Sequence, residues 1–508
     1  MLTSLRSKAV IISVSCLATS TLISLLYDVL RRSKIYSADL EKEKKGKRIP
    51  YLTSFLKLDL QNLRKALREG GEVVWLLCFH KTVGEALRET GGIFAFSSPA
   101  GKPFVIVNNE DILKDILVHH VARYKKQHAN GILELFRKTT LPNSQSPAWR
   151  PVHKLASRMC FHSVEKEQKL LSLVDELCVM IKKEEDNRKV NLSALLTDWY
   201  WKVTLFLVLG EVPQGFPDAY RDAWLACIDR LSSPLINSFF FYKFIPTPAN
   251  LWYRYTTWKF RKMMMKKMDD DNKCDWSVVH MMLQDKELNL ETSEDRLEVA
   301  MEFLFTGTTS VTSTISWLMW HLSDNIKLQD KVAQECIGYQ ANSTEESFVR
   351  DLNKLQLLEV CLKETLRMYS PIHIGRMCKH DDVAGGYSIP QGADIMTNMW
   401  WVHRNEDNWK DPNKFDPNRF LDSSGNIVKP DHYYPFSMGL RGCPGQAVAF
   451  YISKLVVIRL LSSFRFSSQS QQEPLFKPSL MLPNTPAEMN LAVAPRGDEG
   501  KWSRKISS

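Results

Sequence analysis

The stretch that decides the fold is Phe436-Ser437-Met438-Gly439-Leu440-Arg441-Gly442-Cys443-Pro444-Gly445. Gly439, Gly442 and Gly445 let the chain turn tightly around one cysteine, and Pro444 removes a competing backbone donor. Such a loop aims N–H groups at sulfur, and those donors favour the thiolate, the form of cysteine that binds metal. Cys443 therefore reads as a metal ligand. Phe436 can shield the edge of whatever the sulfur holds, and Arg441 offers a fork of donors suited to a carboxylate. The plainer reading, a buried free cysteine in a glycine-rich turn, fits a lone cysteine better than it fits this spacing.

Upstream, Glu294 to Ser323 contains no proline, and Ser293 followed by Glu294 and Asp295 is a sensible helix start. At about 1.5 Å per residue that helix runs roughly 45 Å, enough to cross a large domain. Midway it carries Thr306-Gly307-Thr308-Thr309-Ser310. Small and hydroxyl residues in a buried helix leave room for a flat ligand or water, or else form a groove for a neighbouring element. Phe104 to Val107 reads as a short buried strand, followed by a helical pattern from Glu110 to His120. Long amphipathic runs follow at Lys169 to Lys183 and Leu195 to Leu209. The expectation is a mainly α fold with small β-sheets. No Pro/Gly/Ser-rich linker divides the chain after residue 50, so residues 49–508 are expected to form one domain.

Of the 508 residues, 44% are hydrophobic and 24% charged, which suits an ordinary globular protein with a large core. The ten cysteines contain no Cys-x-x-Cys pair, which fits a reducing compartment and argues against a disulfide framework or a zinc site. The net charge of +10 lies in mixed-sign helical stretches, so nucleic acid is not the expected partner. An anionic membrane surface or an acidic redox protein suits it better.

Residues 1–48 are expected to form a separate N-terminal unit, a membrane anchor or mitochondrial presequence with a basic stem. Ala9 to Tyr27 is nineteen residues without a charge, flanked by Arg6 and Lys8 before and by Arg31, Arg32 and Lys34 after. That length can cross a bilayer, and the basic stem beyond it would keep the following domain in the cytosol, as an endoplasmic-reticulum anchor does. The same residues, rich in serine and carrying several arginines with Asp28 as the one acid among the first 37, also resemble a mitochondrial presequence. Further on, Phe239 to Ile245 with Trp252, Tyr253, Tyr255 and Trp258 mixes aromatics with basic residues. It reads either as a surface dipping into a membrane interface or as a core aromatic cluster.

The ligand loop resembles that of the cytochrome P-450 superfamily, Phe-x-x-Gly-x-Arg-x-Cys-x-Gly, with every fixed position filled. The resemblance implies the cytochrome P-450 fold, with a long central helix over haem b and Cys443 as the axial thiolate. In such proteins the thiolate pushes electron density toward the oxygen-binding face. Glu364 and Arg367 in Lys363-Glu-Thr-Leu-Arg367 share a helix face, and Phe415-Asp-Pro-Asn-Arg-Phe420 resembles the segment that brings Arg419 to them as a structural trio. Arg376 matches a propionate-binding arginine, and Trp149-Arg-Pro-Val-His153 resembles Trp-x-x-x-Arg with His153 where arginine is usual. Trp149 and His153 are thus either propionate contacts or packing residues.

Aligned through Gly307 and Trp317 on Ala/Gly-Gly-x-Asp/Glu-Thr, the chain puts Thr309 at the acid and Ser310 at the alcohol. Ser310 keeps a hydroxyl, but Thr309 cannot relay charge as a carboxylate would, so protons are expected to travel through hydroxyls and water. Trp149 to Met159, Trp317, Asn325 to Asp330 and Met481 to Asn484 resemble the animal mitochondrial branch, which includes steroid hydroxylases. Lys363 matches a lysine that in that branch docks an acidic ferredoxin, while Glu359 and Gln446-Ala447 depart from its basic pattern.

The implied function is a haem-thiolate monooxygenase that inserts one atom of O2 into a small lipophilic, sterol- or steroid-like substrate. Its electrons would come from an adrenodoxin-type ferredoxin or from NADPH-cytochrome P-450 reductase. A haem-thiolate isomerase or peroxide-using enzyme, needing neither relay nor reductase, is the second reading; a haem-based sensor is the third. The membrane address is first the mitochondrial inner membrane, second the endoplasmic reticulum.

Overall fold

The computed structural model describes residues 47, 49–50, 83–97, 103–126, 149–158, 163–184, 189–231, 244–269, 274–344, 348, 351–370, 373–468, 473–474 and 486–496. The expected anchor or presequence, most of Phe239 to Ile245, and Met481 to Asn484 lie outside the described residues.

Among the described residues, ten short strands make three sheets. They are β1 (Ile93–Ser97), β2 (Pro103–Val107), β3 (Tyr124–Lys126), β4 (Val190–Asn191), β5 (His373–Cys378), β6 (Asp382–Ala384), β7 (Tyr387–Ile389), β8 (Asp394–Asn398), β9 (Phe464–Ser468) and β10 (Asn490–Pro495). The largest sheet has the order β1-β2-β8-β5-β3, with β4-β10-β9 and the β6-β7 hairpin apart from it. Within it, β2 runs parallel to β8 and the other pairs are antiparallel; β3 meets β5 with Lys126 opposite Arg376. Ile93, Val105, Val107 and Ile395 pack one face of this sheet against Ile112, Leu113 and Ile116 from the segment after β2.

Helices carry the rest: α1 (Trp149–Arg158), α2 (Val164–Lys183), α3 (Leu192–Leu209), α4 (Phe216–Leu231), α5 (Pro248–Asp269), α6 (Ser293–Asp324), α7 (Ile326–Asn342), α8 (Gln356–Met368) and α9 (Gln446–Ser463). The helix expected to begin at Ser293 is α6, and its cap is one residue earlier than the sequence suggested. Thr292 accepts from the Asp295 backbone at 3.1 Å, and the Asp295 carboxylate accepts from the Thr292 backbone at 3.2 Å. This reciprocal box satisfies two N–H groups at the helix start, which Ser293 alone could not do.

α6 crosses the molecule with Trp317, Leu318, Met319 and Leu322 fully buried among side chains of α2, α3, α7, α8 and α9. α3 and α9 are apolar enough to cross a membrane, but they are 72% and 56% buried here, as helices apolar on all sides become when they form a core. The mainly α architecture with small sheets is the one the sequence led us to expect. It sets α6 and the start of α9 as the rigid walls of the site.

Candidate functional site

The cysteine loop is a set of tight turns held by its own backbone. The Ser437 N–H donates to Tyr434 O at 3.0 Å, Gly442 N–H to Gly439 O at 3.0 Å, and Cys443 N–H to Phe436 O at 2.8 Å. Gly439 has φ +72°, and a Cβ there would collide with the carbonyl of Leu117, so only glycine fits. Directly after the loop, Gly445 caps α9, whose free N–H end and positive dipole lie beside the cysteine. Phe436 packs its ring against Phe450 of α9, centroids 5.8 Å apart.

Cys443 lies deep in the molecule and yet presents an accessible surface, so it faces an interior cleft. Burial pushes its thiol pKa up, while the Gly445 N–H donated to sulfur and the charge of Lys126 pull it down. The net direction is upward, so the free side chain is a thiol, and a bound metal cation would supply what stabilises the thiolate.

α6 supplies the facing wall. Thr306 is exposed, Ser310 is half-buried, and a Cβ at Gly307 would have no atom within 4 Å, so this arc of the helix borders open space. Thr308 turns the other way: it is buried, donating to Leu304 O at 2.6 Å and paired with Tyr220 Oη at 2.6 Å. Thr309 is 8% exposed, nearly enclosed at the position where a relay carboxylate was missing from the sequence. Burial, then the charges of Arg376 and Arg441, depress the pKa of Lys126 to about 7, and Glu302 of α6 and Cys443 act on it in the opposite sense.

Cations gather on one side of that space. Arg376 is buried on β5, with its Nη1 donating to Gly375 O at 2.9 Å. Burial and then the neighbouring Arg441 depress its pKa to about 10. Arg441 lies over the Trp149 ring, 4.3 Å from its centroid, so Trp149 orients the guanidinium by cation–π contact. His153 stands edge-on to Trp149 with centroids 5.5 Å apart, and its Nε2 meets Gly442 O at 2.9 Å. The ring of His153, expected either to reach a propionate or to pack, thus braces the loop backbone through Nε2. Lys126 completes the group, a residue that sequence reading missed because a Lys-Lys dipeptide at a strand end resembles any solvated surface.

Behind the loop, Arg367 and Glu364 of α8 are fully buried and joined by Arg367 Nε to Glu364 Oε2 at 2.7 Å and Nη2 to Oε1 at 2.8 Å. Arg419 adds a weaker bond, Nε to Glu364 Oε1 at 3.3 Å. The three residues are thus brought together. Lys363, one position before, pairs with Glu359 at 3.4 Å and is mostly covered.

A cysteine facing a cleft, a helix wall of small and hydroxyl residues, and convergent cations fit a flat metal-bearing group with carboxylates at its edge. These are the features of the haem-thiolate class. The sequence model of the family "Cytochrome P450" matches residues 73–491, and the chain belongs to that family. The family carries haem b on a cysteine thiolate, and its members are oxidoreductases of the monooxygenase type.

Similar proteins come from several branches. The chain is 28% identical to human Cytochrome P450 2U1 over 246 residues, 47% of this chain and 45% of that protein. It is 31% identical to Trans-cinnamate 4-monooxygenase of Zinnia elegans over 210 residues, 40% of this chain and 41% of that one. It is 25% identical to Cytochrome P450 3A6 of Oryctolagus cuniculus over 415 residues, 76% and 82% of the two chains. The chain thus spans under half the length of the first relatives it matches, and the mixture of branches does not single out mitochondrial steroid hydroxylases.

Proposed function

We propose that this chain is a haem-thiolate monooxygenase with Cys443 as its axial ligand, residues 49–508 as one haem-binding domain, and a small lipophilic substrate. The observation that carries the reading is Cys443 itself, accessible in an interior cleft with its sulfur receiving the Gly445 N–H. Haem, when bound, supplies activation of dioxygen and the oxidation of a C–H bond. The chain's own residues do the rest. Arg376 and Arg441 hold carboxylates, and Trp149 keeps the Arg441 fork in place. His153 fixes the Gly442 carbonyl, and Glu364, Arg367 and Arg419 stiffen the support behind the loop. Ser310 offers its Oγ proton toward the cleft, and Gly307 leaves room for water beside it. With threonine at 309, protons reach Ser310 through hydroxyls and water.

Substrates of sterol or steroid type, and the mitochondrial inner membrane before the endoplasmic reticulum, rest on the mitochondrial-branch resemblance. An exposed face on α5 supports a membrane surface. Trp252, Tyr255 and Trp258 are each more than half exposed, as is Phe244 just before the helix, whereas Tyr253 is buried. Lipophilic substrates of the kind proposed would reach the protein from a bilayer across such a surface. Electrons would come from an adrenodoxin-type ferredoxin or NADPH-cytochrome P-450 reductase; the pairing of Lys363 with Glu359 leaves the ferredoxin reading to the resemblance alone.

The deciding experiment is the carbon-monoxide difference spectrum of the reduced protein beside Cys443→Ser. A strongly red-shifted Soret band, lost in the variant, is the expected result; haem bound without that band overturns the thiolate assignment. A second reading, an isomerase or peroxide-using enzyme, is favoured by Thr309 at the acid position. Turnover of a hydroperoxide without a reductase would select it.

A further inference from the structure

We infer that Trp317 and Tyr369 form a one-electron relay that discharges an over-oxidised haem when no substrate fills the cleft, with Glu473 taking the phenol proton. The inference rests on the haem reading above and adds a second activity, the reduction of a hydroperoxide at the expense of a thiol.

The route begins on α6. Ser310, Thr314, Trp317 and His321 are spaced four, three and four residues apart, so they share one face of the helix. Ser310 borders the cleft, and Trp317 lies about 10 Å further along that face. Trp317 is fully buried, and its ring lies flat on that of Tyr369, the residue just after α8, with centroids 4.0 Å apart and planes 6° from parallel. Trp320, by contrast, meets Trp317 edge-on at 6.2 Å. The π faces of Trp317 and Tyr369 are thus in direct contact, the geometry through which an electron passes between rings.

The phenol is arranged to lose its proton. Tyr369 is buried, yet its Oη donates to Glu473 Oε1 at 2.6 Å, and Glu473 is exposed. With that hydroxyl proton given to Glu473, His321 Nε2–H donates to the phenol oxygen at 3.1 Å, and Phe415 stacks on the imidazole at 4.1 Å. The Arg404 guanidinium lies over the Tyr369 ring, 5.7 Å from its centroid. An oxidised phenol that kept its proton would be a buried cation beside another cation, which is costly. Passing the proton to Glu473 as the electron leaves keeps Tyr369 neutral, and the exposed carboxyl group hands the charge balance to water. Until then burial, followed by the charge of Glu473, holds the phenol protonated.

A hydroperoxide is reduced to an alcohol and leaves the haem two oxidising equivalents above ferric. One electron then passes from Tyr369 through Trp317 to the haem, the Tyr369 O–H bond breaks, and its proton joins Glu473. A thiol restores Tyr369 with one electron while Glu473 returns the proton. After two passages the haem is ferric again, and one hydroperoxide and two thiols have become an alcohol, a water and a disulfide.

The test is freeze-quench EPR of the ferric holoprotein mixed with cumene hydroperoxide, in wild type, Tyr369→Phe, Trp317→Phe and Glu473→Gln, with haem bleaching followed in the same mixtures. Wild type should give a tyrosyl signal that narrows when ring-deuterated tyrosine is incorporated. Tyr369→Phe should remove most of that signal and speed bleaching severalfold, and thiol should slow bleaching in wild type alone. Trp317→Phe and Glu473→Gln should each lower the yield severalfold; the exposed Glu473 is the position least able to disturb the fold. A signal undiminished in Tyr369→Phe, or indifferent to both Trp317→Phe and Glu473→Gln, overturns the relay. The carbon-monoxide band of the same preparations separates two failures. That band with no tyrosyl signal in wild type sinks the relay and leaves the haem-thiolate reading standing, whereas haem without that band overturns the haem-thiolate reading and the relay with it.

Discussion

Arg367 and Glu364 share two parallel hydrogen bonds of 2.7 and 2.8 Å with neither side chain exposed to solvent. Neither partner stops there. Glu364 Oε1 also accepts from the Asp416 backbone at 2.9 Å, and Arg367 Nη1 donates to His403 O and Pro412 O at 2.8 and 2.9 Å. One ion pair thus ties α8 to two later segments that lead to the cysteine loop. Removing one partner strands a buried charge, which costs about 3–5 kcal/mol. Glu364→Ala and Arg367→Ala are each expected to yield protein with little bound haem and a denaturant midpoint lowered accordingly. Replacing Arg419, whose bond to Glu364 is 3.3 Å, should cost less. Equal losses for Arg367→Ala and Arg419→Ala would contradict this ranking.

His403 makes the same region sensitive to acid. Its Nε2 accepts from the Tyr434 N–H at 2.9 Å, which leaves Nδ1–H to donate to Arg367 O at 3.2 Å. The ring is therefore neutral, and burial, followed by the charge of Arg367, depresses its pKa to about 3. His321 is depressed to about 3 as well, by burial and then by Arg404 and Arg367. A depressed histidine contributes stability that is complete above its ordinary value near 6.5 and is lost as pH falls from there toward 3. Each such histidine should remove about 1.4 kcal/mol per pH unit across that window. Urea titrations between pH 7.5 and 5 should give a shallower slope for His403→Gln, whose amide oxygen can still accept from Tyr434. An unchanged slope would mean that His403 is not one of the groups responsible.

How much of this was legible beforehand follows from the range of each interaction. The cysteine loop, α6 and the Glu364/Arg367 pair are written within ten to thirty neighbouring residues, so local spacing exposes them. Lys126 was invisible because its meaning depends on standing opposite Arg376, 250 positions away, across a strand pair. His403 was missed likewise: its acceptor and donor roles depend on Tyr434 and Arg367, not on its neighbours. The sequence also left the α5 aromatics open between core and surface. Only the helix phase separates the buried Tyr253 from the exposed Trp252, Tyr255 and Trp258.

Gly439 gives a backbone test. Its φ of +72° and the nearness of the Leu117 carbonyl oppose any side chain. Gly439→Ala should destabilise the protein by more than about 1 kcal/mol and lower the fraction recovered with haem. Gly338 lies in a helix with nothing within 4 Å of an added Cβ, so Gly338→Ala should be neutral or stabilising. Thermal melts of the two variants decide it. A Gly439→Ala protein as stable and haem-replete as wild type would show that the turn can relax.

Membrane contact through α5 predicts a graded response to its aromatics. Trp252 and Trp258 are 52% and 57% exposed, and Lys262 lies 5.3 Å from the Trp258 ring centroid, the mix of apolar and basic groups that an anionic interface retains. Trp252→Ser with Trp258→Ser should weaken sedimentation with anionic phospholipid vesicles severalfold, with little change in melting temperature. Tyr253→Ser, at a buried position, should instead lower the melting temperature. Vesicle binding unaffected by the double replacement would remove α5 as the contact surface.

Thr309 offers the sharpest test of how protons reach the cleft. It occupies the family's acid position, is 8% exposed, and is followed by half-buried Ser310 on the open side of α6. Burial raises the pKa of a carboxyl group, so an aspartate introduced there would sit closer to neutrality and could both give and take a proton. Thr309→Asp is expected to raise the share of consumed NADPH recovered as product, and the turnover rate, by about ten-fold or more. It should also reduce the solvent deuterium effect on turnover, since fewer waters would take part. Ser310→Ala should do the reverse. An unchanged yield and isotope effect in Thr309→Asp would mean that proton supply through this part of α6 does not limit the reaction.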